Sequence, residues 1–314
     1  MKYLPWVKSN IADMHGKTVV ITGANSGIGY FAAQTLAFQG AHVIMACRSL
    51  ERGGAALASI HQEVPYAELE LMQYDQASFQ SIDHFVAELK SKHKRIDVLV
   101  LNAGIFHPHK KVKTAEGLPL TIGTNFVGMY YLLKKLIAFL DQGPEQTRVV
   151  FVGSIAGSIT QLKDVGFLST ESGSPYHQYA QSKVAIAKLF HVLANGVNLY
   201  DFPERKHINF YLMHPGVTNT NIINSYPRGF RKAAHIALSA FTHSAEKAAL
   251  GIVYLAGAPY VFNGAVYGPR GPFEISGFPH KTKLSRHIAH GSGQFIFDAG
   301  HLVEKLEKGG AQHA

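Results

Sequence analysis

Short runs of β-branched and aliphatic residues alternate along this chain with longer stretches of helical pattern. The first run, at residues 18–21, reads TVVI and ends at glycines, as expected of a strand buried on both faces. Similar runs recur at 41–46, 69–73, 98–101, 148–152, 208–213 and 261–267. This alternation predicts an α/β fold in which one doubly wound parallel sheet carries helices on both faces.

The length and composition of the chain fit one folded unit. Its 314 residues are 46% apolar, which is enough to bury a sizeable core. Neither a Pro- or Ser-rich linker nor an internal repeat separates the predicted strands. We therefore predict a single domain over residues 1–314, with an N-terminal arm at 1–15 and a C-terminal extension at 269–314 that lies over the sheet edge or the cleft.

Charge and cysteine content narrow the class of protein. The net charge of +9 is spread over many separate positions without a long basic block, so it predicts a solvated surface and no nucleic-acid partner. Cys47 is the single cysteine, which excludes an intrachain disulfide and fits a reducing compartment. Polar residues interrupt every apolar stretch near the N-terminus, so we predict no signal peptide, no membrane span and a cytoplasmic location.

A glycine-rich turn follows the first predicted strand. Residues 22–29 read TGANSGIG and lead into a stretch of helical pattern. Glycines permit a tight turn and let the backbone approach a pyrophosphate, whose charge is met by the N–H groups at the helix start. We predict a Rossmann-type dinucleotide site formed here by Gly23, Asn25, Ser26, Gly27, Ile28 and Gly29.

The residues after the second strand indicate which dinucleotide binds. Sites for NAD carry an acidic residue there to bind the ribose 2′-hydroxyl, whereas this chain has Cys47 followed by Arg48. The Arg48 guanidinium suits a 2′-phosphate, so NADP (NADPH) is predicted in preference to NAD; an ordinary exposed loop arginine is the alternative. Asp75, after the third strand, is either an acceptor for the adenine amino group or an N-cap.

Further motifs follow the later strands in a definite order. They are Asn102-Ala103-Gly104, Asn125, Ser154, Tyr179, Lys183 and Pro215-Gly216. Together with the glycine turn, these motifs make about residues 16–267 resemble the short-chain dehydrogenase/reductase family. The ACR sequence at 46–48 and the long segment between the serine and the tyrosine resemble its retinol-dehydrogenase-like branch, which generally favours NADP.

Carbonyl reduction requires a hydride at carbon and a proton for the developing alkoxide. Tyr179 is the predicted proton donor, because Lys183 lies one helical turn away on the same face, favours the phenolate and can hold the nicotinamide ribose. Ser154 is predicted to donate a second hydrogen bond to the substrate oxygen. The resemblance implies that Asn125 holds a water connecting Lys183 to solvent. It also implies cofactor contacts from Asn102, Ala103, Gly104, Tyr179, Lys183, Pro215, Gly216, Val217 and Thr218.

The catalytic candidates have ordinary structural alternatives. Ser154 could be a helix or turn cap, and Ser158 is close by, although only Ser154 directly follows the strand. Asn125 could bind local backbone groups. Tyr176 competes with Tyr179 but has no lysine four residues later.

The histidines give weaker signals. His107 and His109 have no neighbouring carboxylate or cysteine, so we predict no metal site there. His214 either lines the nicotinamide side of the cleft or spaces the backbone beside the cofactor.

These inferences predict an NADP(H)-dependent oxidoreductase acting on a small-molecule carbonyl or alcohol. Apolar and aromatic residues at 219–243 favour a lipophilic substrate. One alternative is a non-catalytic NADP(H)-sensing regulatory protein of the same fold, and another is an enzyme acting on a sugar nucleotide. The resemblance also implies a homo-oligomer that associates through the helices carrying Asn125 and Tyr179.

Overall fold

The computed structural model describes residues 1–106, 112–142, 145–158, 160–162, 164–169, 174–218 and 243–310. Within these residues one sheet has the strand order β3-β2-β1-β4-β5-β6-β7-β8. Its strands are β1 (Thr18–Thr22), β2 (His42–Cys47), β3 (Glu68–Gln73), β4 (Val98–Leu101), β5 (Thr147–Val152), β6 (Ile208–Met213), β7 (Val266–Pro269) and β8 (Pro279–Thr282).

Helices connect the strands and follow the last one. They are α1 (Leu4–Asn10), α2 (Gly27–Phe38), α3 (Leu50–Glu63), α4 (Phe79–Lys92), α5 (Leu120–Ile122), α6 (Met129–Leu140), α7 (Ile155–Ser158), α8 (Pro175–Ala194), α9 (Ala245–Gly257), α10 (Arg286–Ala289) and α11 (Ser292–Gly310). A π-helical segment, Gly123–Gly128, joins α5 to α6, and 3₁₀ turns occur at Val165–Leu168 and Pro272–Glu274.

The prediction of a Rossmann-type, doubly wound sheet is confirmed. Strands β1 to β7 pair in parallel, and the order reverses between β1 and β4, so that a crevice opens beyond their carboxyl ends. Alternate residues of β1 enter the two cores: Val19 and Ile21 pack on the side of α2, α3 and α9, and Val20 packs on the side of α4, α6 and α8. Burial on both faces explains the uninterrupted apolar runs.

The last part of the sheet differs from the prediction. The seventh strand was expected at 261–267, but the chain turns at Asn263 and at Gly264, whose φ is +77°, and β7 starts only at Val266. Phe262, before this turn, is 83% exposed. Strand β8 was not predicted; it pairs antiparallel to β7, with Thr282 opposite Val266.

Both terminal segments pack on the rest of the molecule. In the N-terminal arm, α1 buries Val7, and the Trp6 ring stacks on Phe278 of the C-terminal extension at a centroid distance of 5.7 Å. Helix α11 lies against α8 and buries Phe295, Ile296, Ala299 and Val303. Of the helices that the structure describes, none has the length and apolar character needed to cross a bilayer.

Candidate active site

A cavity of about 470 Å³ lies beyond the carboxyl ends of β1, β2, β4 and β5. Residues from most of the predicted motifs line it, although they come from widely separated parts of the sequence. The predicted residues in its lining are Gly23, Asn25, Ser26, Gly27, Ile28, Gly29, Arg48, Asp75, Asn102, Ala103, Gly104, Tyr179, Lys183, Pro215 and Thr218.

The glycine turn needs its glycines for two physical reasons. Gly23 and Gly27 have φ values of +69° and +58°, a region that residues with a side chain rarely adopt. At Gly29 the limit is space, because an added Cβ would lie 2.5 Å from both the Gly23 carbonyl oxygen and Asn102 Nδ2. Helix α2 starts within this turn, and Ser26 makes no side-chain capping bond, an arrangement suited to an anion at the helix N-terminus.

Asn102 and Ala103 join the ends of β1 and β4. Asn102 Nδ2 donates to the Thr22 carbonyl oxygen at 2.8 Å. The backbone N–H groups of Asn102 and Ala103 both donate to Thr22 Oγ1, at 3.0 and 2.9 Å. Thr22 is therefore a site residue that the sequence reasoning missed; its signal was a hydroxyl at the last position of a buried strand.

The cavity end next to β2 carries two arginines. Arg48 is exposed and lines the cavity, and Arg52 lines it as well. Ser49 caps α3 by accepting from the Arg52 backbone N–H at 3.2 Å, so Arg48 lies just before the N-cap and Arg52 lies in the first turn of the helix. Arg52 was missed, although its spacing of four residues from Arg48 at a helix start was a usable signal.

Asp75 lines the cavity, and one of its two alternatives is wrong. The N-cap of α4 is Ser78, which accepts from the Ser81 backbone N–H at 3.3 Å. Asp75 instead accepts from the Ala77 backbone N–H at 3.0 Å through Oδ1, which forms a local turn. The adenine contact through its other oxygen stays a prediction.

Lys183 is 5% exposed and lies where α8 passes the end of β5. Its Nζ donates to the Val152 carbonyl oxygen at 3.0 Å and lies 5.7 Å from the centroid of the Tyr179 ring. Burial lowers the pKa of Lys183 to about 8, because an ammonium group is poorly solvated there. A cavity-facing lysine with this pKa can exchange a proton near neutral pH.

Tyr179 is partly buried beside Lys183, on the same face of α8. Burial raises the pKa of its phenol, and a hydrogen bond with Ser154 opposes that rise. The lowering of this pKa expected from Lys183 is therefore not seen, and the Lys183 ammonium group donates to the Val152 carbonyl oxygen instead. Tyr176 is 47% exposed and lies outside this cavity lining. Phe106, which the sequence reasoning missed, packs edge-to-face on Tyr179 at 5.6 Å.

Ser154 lines a second, smaller cavity of about 30 Å³, which shares Gly153 and Lys183 with the larger one. Its Oγ accepts from the Ala156 backbone N–H at 3.2 Å, so Ser154 is also a turn cap, as its alternative proposed. A hydroxyl that accepts from a backbone N–H keeps its own proton for another acceptor. Both functions are therefore compatible at this residue.

Asn125 is fully buried in the π-helical segment and does not line the larger cavity. Its Oδ1 accepts from the Ile105 N–H at 2.7 Å, and its Nδ2 donates to the Ile105 carbonyl oxygen at 2.9 Å and to Ser182 Oγ at 3.1 Å. Asn125 therefore binds backbone groups, but those of a residue 20 positions away, so the alternative of purely local backbone bonds is wrong. A Cβ added to Gly104 would lie 3.3 Å from Asn125 Oδ1 and 3.6 Å from Lys183 Nζ, so the two side chains border the same glycine.

Gln76 is a further buried residue that the sequence reasoning missed. Its Nε2 donates to the carbonyl oxygens of Ala103 at 3.0 Å and Thr124 at 2.7 Å, and its Oε1 accepts from Tyr74 at 3.0 Å. Gln76 thus ties the loop after β4 to the π-helical segment. No sequence signal distinguished it from an ordinary glutamine.

The loop after β6 reaches the cavity through only some of its predicted residues. Pro215 and Thr218 line the cavity, whereas Gly216 and Val217 face the C-terminal extension, where the Val217 N–H donates to the Ile275 carbonyl oxygen at 2.9 Å. His214 is buried, does not line the larger cavity and borders the smaller one. His214 therefore does not line the larger cavity beside Tyr179, but it shares the smaller cavity with Lys183 and Ser154.

Two predicted features lie outside the described residues. They are the pair His107 and His109 and nearly all of the predicted substrate cover, residues 219–242. Among the residues that are described, no group of three His, Cys, Asp or Glu side chains is placed to hold a metal ion.

Comparison with known proteins gives consistent matches. The family model for short chain dehydrogenase matches residues 17–229, a range that contains all four predicted catalytic residues. The chain is 34% identical to retinol dehydrogenase 14 of Mus musculus, over 67% of this chain and 63% of that protein. It is 40% identical to the WW domain-containing oxidoreductase of Gallus gallus, over 48% of this chain and 36% of that protein. The matched part thus spans less than two thirds of either relative.

One solved structure matches almost the whole chain. The solved structure is that of a protein from Mycobacterium paratuberculosis. It superposes on this chain with a TM-score of 0.72 and 27% sequence identity, and the match covers 96% of each chain. The match extends the similarity beyond the family-model range, into both terminal segments.

Proposed function

Because this chain belongs to the short-chain dehydrogenase family, in its retinol-dehydrogenase-like branch, we propose that it is an NADP(H)-dependent oxidoreductase that interconverts a carbonyl and an alcohol. One observation carries the proposal. The glycine turn of β1–α2 and the Tyr179–Lys183 pair of α8 line the same cavity. A site that binds a dinucleotide and holds a proton donor beside it has both groups that hydride transfer requires.

The bound cofactor would supply the hydride, and the chain's own residues would handle the proton. Tyr179 donates its phenolic proton to the substrate oxygen, and Ser154 donates a second hydrogen bond to the same oxygen. The Lys183 ammonium stabilises the resulting phenolate and holds the nicotinamide ribose. Asn125, next to Lys183 across Gly104, keeps the proposed water link to solvent.

The choice of NADP over NAD rests on the end of β2. Cys47 stands, buried, where NAD-binding sites carry a carboxylate, and the next residue, Arg48, is exposed at the cavity. Arg52, in the first turn of α3, adds a second cation. Two guanidinium groups favour a 2′-phosphate by charge-assisted hydrogen bonding.

A lipophilic substrate remains part of the proposal. Phe106 contributes an aromatic ring beside Tyr179, and residues 219–243 are rich in apolar side chains. The name of the murine relative, retinol dehydrogenase 14, is that of an enzyme for a lipophilic alcohol. The alternative of an NADP(H)-sensing protein without turnover is the second candidate, because the fold hosts such functions.

The decisive experiment follows cofactor absorbance with a panel of aldehydes, ketones and alcohols. Tyr179→Phe should lower kcat by roughly 10²- to 10⁴-fold, because the phenolic proton is lost, while the Kd for NADPH stays almost unchanged. Tyr176→Phe, on the same helix but outside the cavity, is the matched control and should retain wild-type kcat. Substantial turnover by Tyr179→Phe would exclude Tyr179 as the acid, and binding without any turnover in the wild type would favour the sensor.

A further inference from the structure

The segment of residues 271–282, which follows β7 and includes β8, crosses the loop that follows β6; we call it the strap. Its Ile275 carbonyl oxygen accepts from the Val217 N–H at 2.9 Å. Gly216 has a φ of +71°, and a Cβ added to it would lie 2.2 Å from the same oxygen. The strap therefore contacts the backbone of the loop whose residues Pro215 and Thr218 line the proposed cofactor cavity.

The strap contains an unusual backbone conformation. Phe273 and Glu274 are consecutive non-glycine residues with φ values of +52° and +56°. Such residues persist in this conformation where surrounding contacts hold them. The Phe273 side chain is 86% exposed and cannot supply those contacts.

Glu274 supplies the contacts that hold this backbone conformation, through both of its carboxylate oxygens. Oε2 lies 2.6 Å from Nε2 of the buried His214, the residue that directly follows β6. Oε1 accepts from the Thr282 hydroxyl in β8. Gly268 of β7 leaves room for this arrangement, because a Cβ there would lie 2.3 Å from His214 Nε2. Burial lowers the pKa of His214, which favours a neutral ring that donates its Nε2–H to the carboxylate.

We infer that Glu274 is a positioning residue that locks the strap to His214 and thereby sets the Pro215–Thr218 loop against the cofactor. The same carboxylate borders the smaller cavity that contains Ser154 and Lys183. The inference rests on the proposed function, since it assigns the loop to the nicotinamide end of a bound NADP(H).

The test measures NADPH binding to the full-length protein by fluorescence titration, together with KM and kcat. Glu274→Ala removes the bonds to both His214 and Thr282 and should raise the Kd and the KM for NADPH roughly tenfold, while changing kcat much less. Glu274→Gln should recover part of the affinity, because its amide oxygen still accepts. Thr282→Val removes one bond to the carboxylate and should give a smaller change in the same direction. Glu204→Ala, at an exposed glutamate outside both cavities, is the control.

A double-mutant cycle separates positioning from a general loss of stability. If Glu274 acts through His214, then His214→Leu combined with Glu274→Ala should weaken NADPH binding no more than the stronger single variant. Either of two results would overturn the inference. The first is an NADPH affinity within about twofold of wild type for both Glu274→Ala and Thr282→Val. The second is a loss of affinity in the double variant that equals the product of the losses in His214→Leu and Glu274→Ala. Wild-type protein that binds neither NADPH nor NADH would overturn the proposed function as well.

Discussion

Arg48, just before the N-cap of α3, and Arg52, in its first turn, both line the end of the cavity next to β2. Arg48→Ala should weaken NADPH binding about tenfold to a hundredfold, with solvent exposure favouring the lower figure, and should leave NADH almost unaffected. The reason is that the two cofactors differ only at the 2′ position. Arg52→Ala should act in the same direction, and isothermal titration with both cofactors measures the two variants.

Arg286→Ala provides the control for the arginine variants, because Arg286 is exposed and lies outside both cavities. Equal weakening of NADPH and NADH by Arg48→Ala, or a wild-type preference for NADH, would show that the guanidinium does not bind the 2′-phosphate.

The pKa of Lys183 gives a pH prediction. Burial depresses this pKa to about 8, so the ammonium form is lost as pH rises through that value. The pKa of Tyr179 is raised, so its phenol stays protonated over the same range. We expect kcat/KM for carbonyl reduction to fall above pH 8, because the cation that stabilises the phenolate and holds the ribose disappears.

Lys183→Arg is the matched variant for this profile, since an arginine keeps its charge throughout the range. Its rate should be lower, and its pH profile should be flat between about pH 7 and 9. A fall at the same pH in Lys183→Arg would assign the titration to another group.

At the scale of the element, the glycine turn admits a direct steric test. Gly29→Ala places a methyl group 2.5 Å from a backbone oxygen and from the Asn102 amide, so the turn must open. We expect a lower Tm and a smaller rise in Tm on adding NADPH, because ligand stabilisation depends on Kd. Gly54→Ala in α3 has nothing within 4 Å of the added Cβ and should instead stabilise the protein by about 1 kcal/mol. Equal behaviour of the two variants would contradict the close packing at Gly29.

The π-helical segment shows why some elements escape sequence reasoning. The sequence placed Asn125 in a helix, and the structure widens that helix over Gly123–Gly128. A Cβ at Gly128 would lie 1.8 Å from the Gln76 carbonyl oxygen, so a neighbouring loop presses on the helix at this point. The widening is thus associated with a contact between segments far apart in sequence, and local periodicity does not report such contacts.

For the molecule as a whole, α11 covers a face of α8. The apolar residues of α8 that could have formed a subunit interface are buried within the chain. They are Val184, Ala187, Leu189 and Val192. Lys188, on the same helix, donates to the carbonyl oxygens of Ile288 and His290 at 3.1 and 2.6 Å. Glu307 of α11 accepts from Lys134 and Lys135 of α6, each at 3.0 Å.

This packing bears on the homo-oligomer expected from the family resemblance. Association through α8 would require α11 to move away and expose its buried apolar residues to solvent. We therefore expect light scattering of the full chain at micromolar concentration to give the mass of one protomer, 34.3 kDa. A stable dimer would favour the original hypothesis or association through another surface.

The sequence by itself determined the sheet class, the glycine turn and the order of the candidate catalytic residues. Each of these features is indicated by a local sequence pattern: an apolar run, the composition of a turn, or a polar residue directly after a strand. Parallel strands end at one edge of the sheet, so a local pattern repeated at strand ends predicts a shared site.

Only the tertiary structure decided which side chains support that site and which parts of the chain they come from. Gln76 ties two loops together, Glu274 reaches His214 from the C-terminal extension, and α11 covers α8. These contacts join common residue types across large sequence separations, so nothing in the local composition marks them. The first two contacts arise because buried polar groups are stabilised by hydrogen-bond partners, and the third arises from the burial of apolar residues.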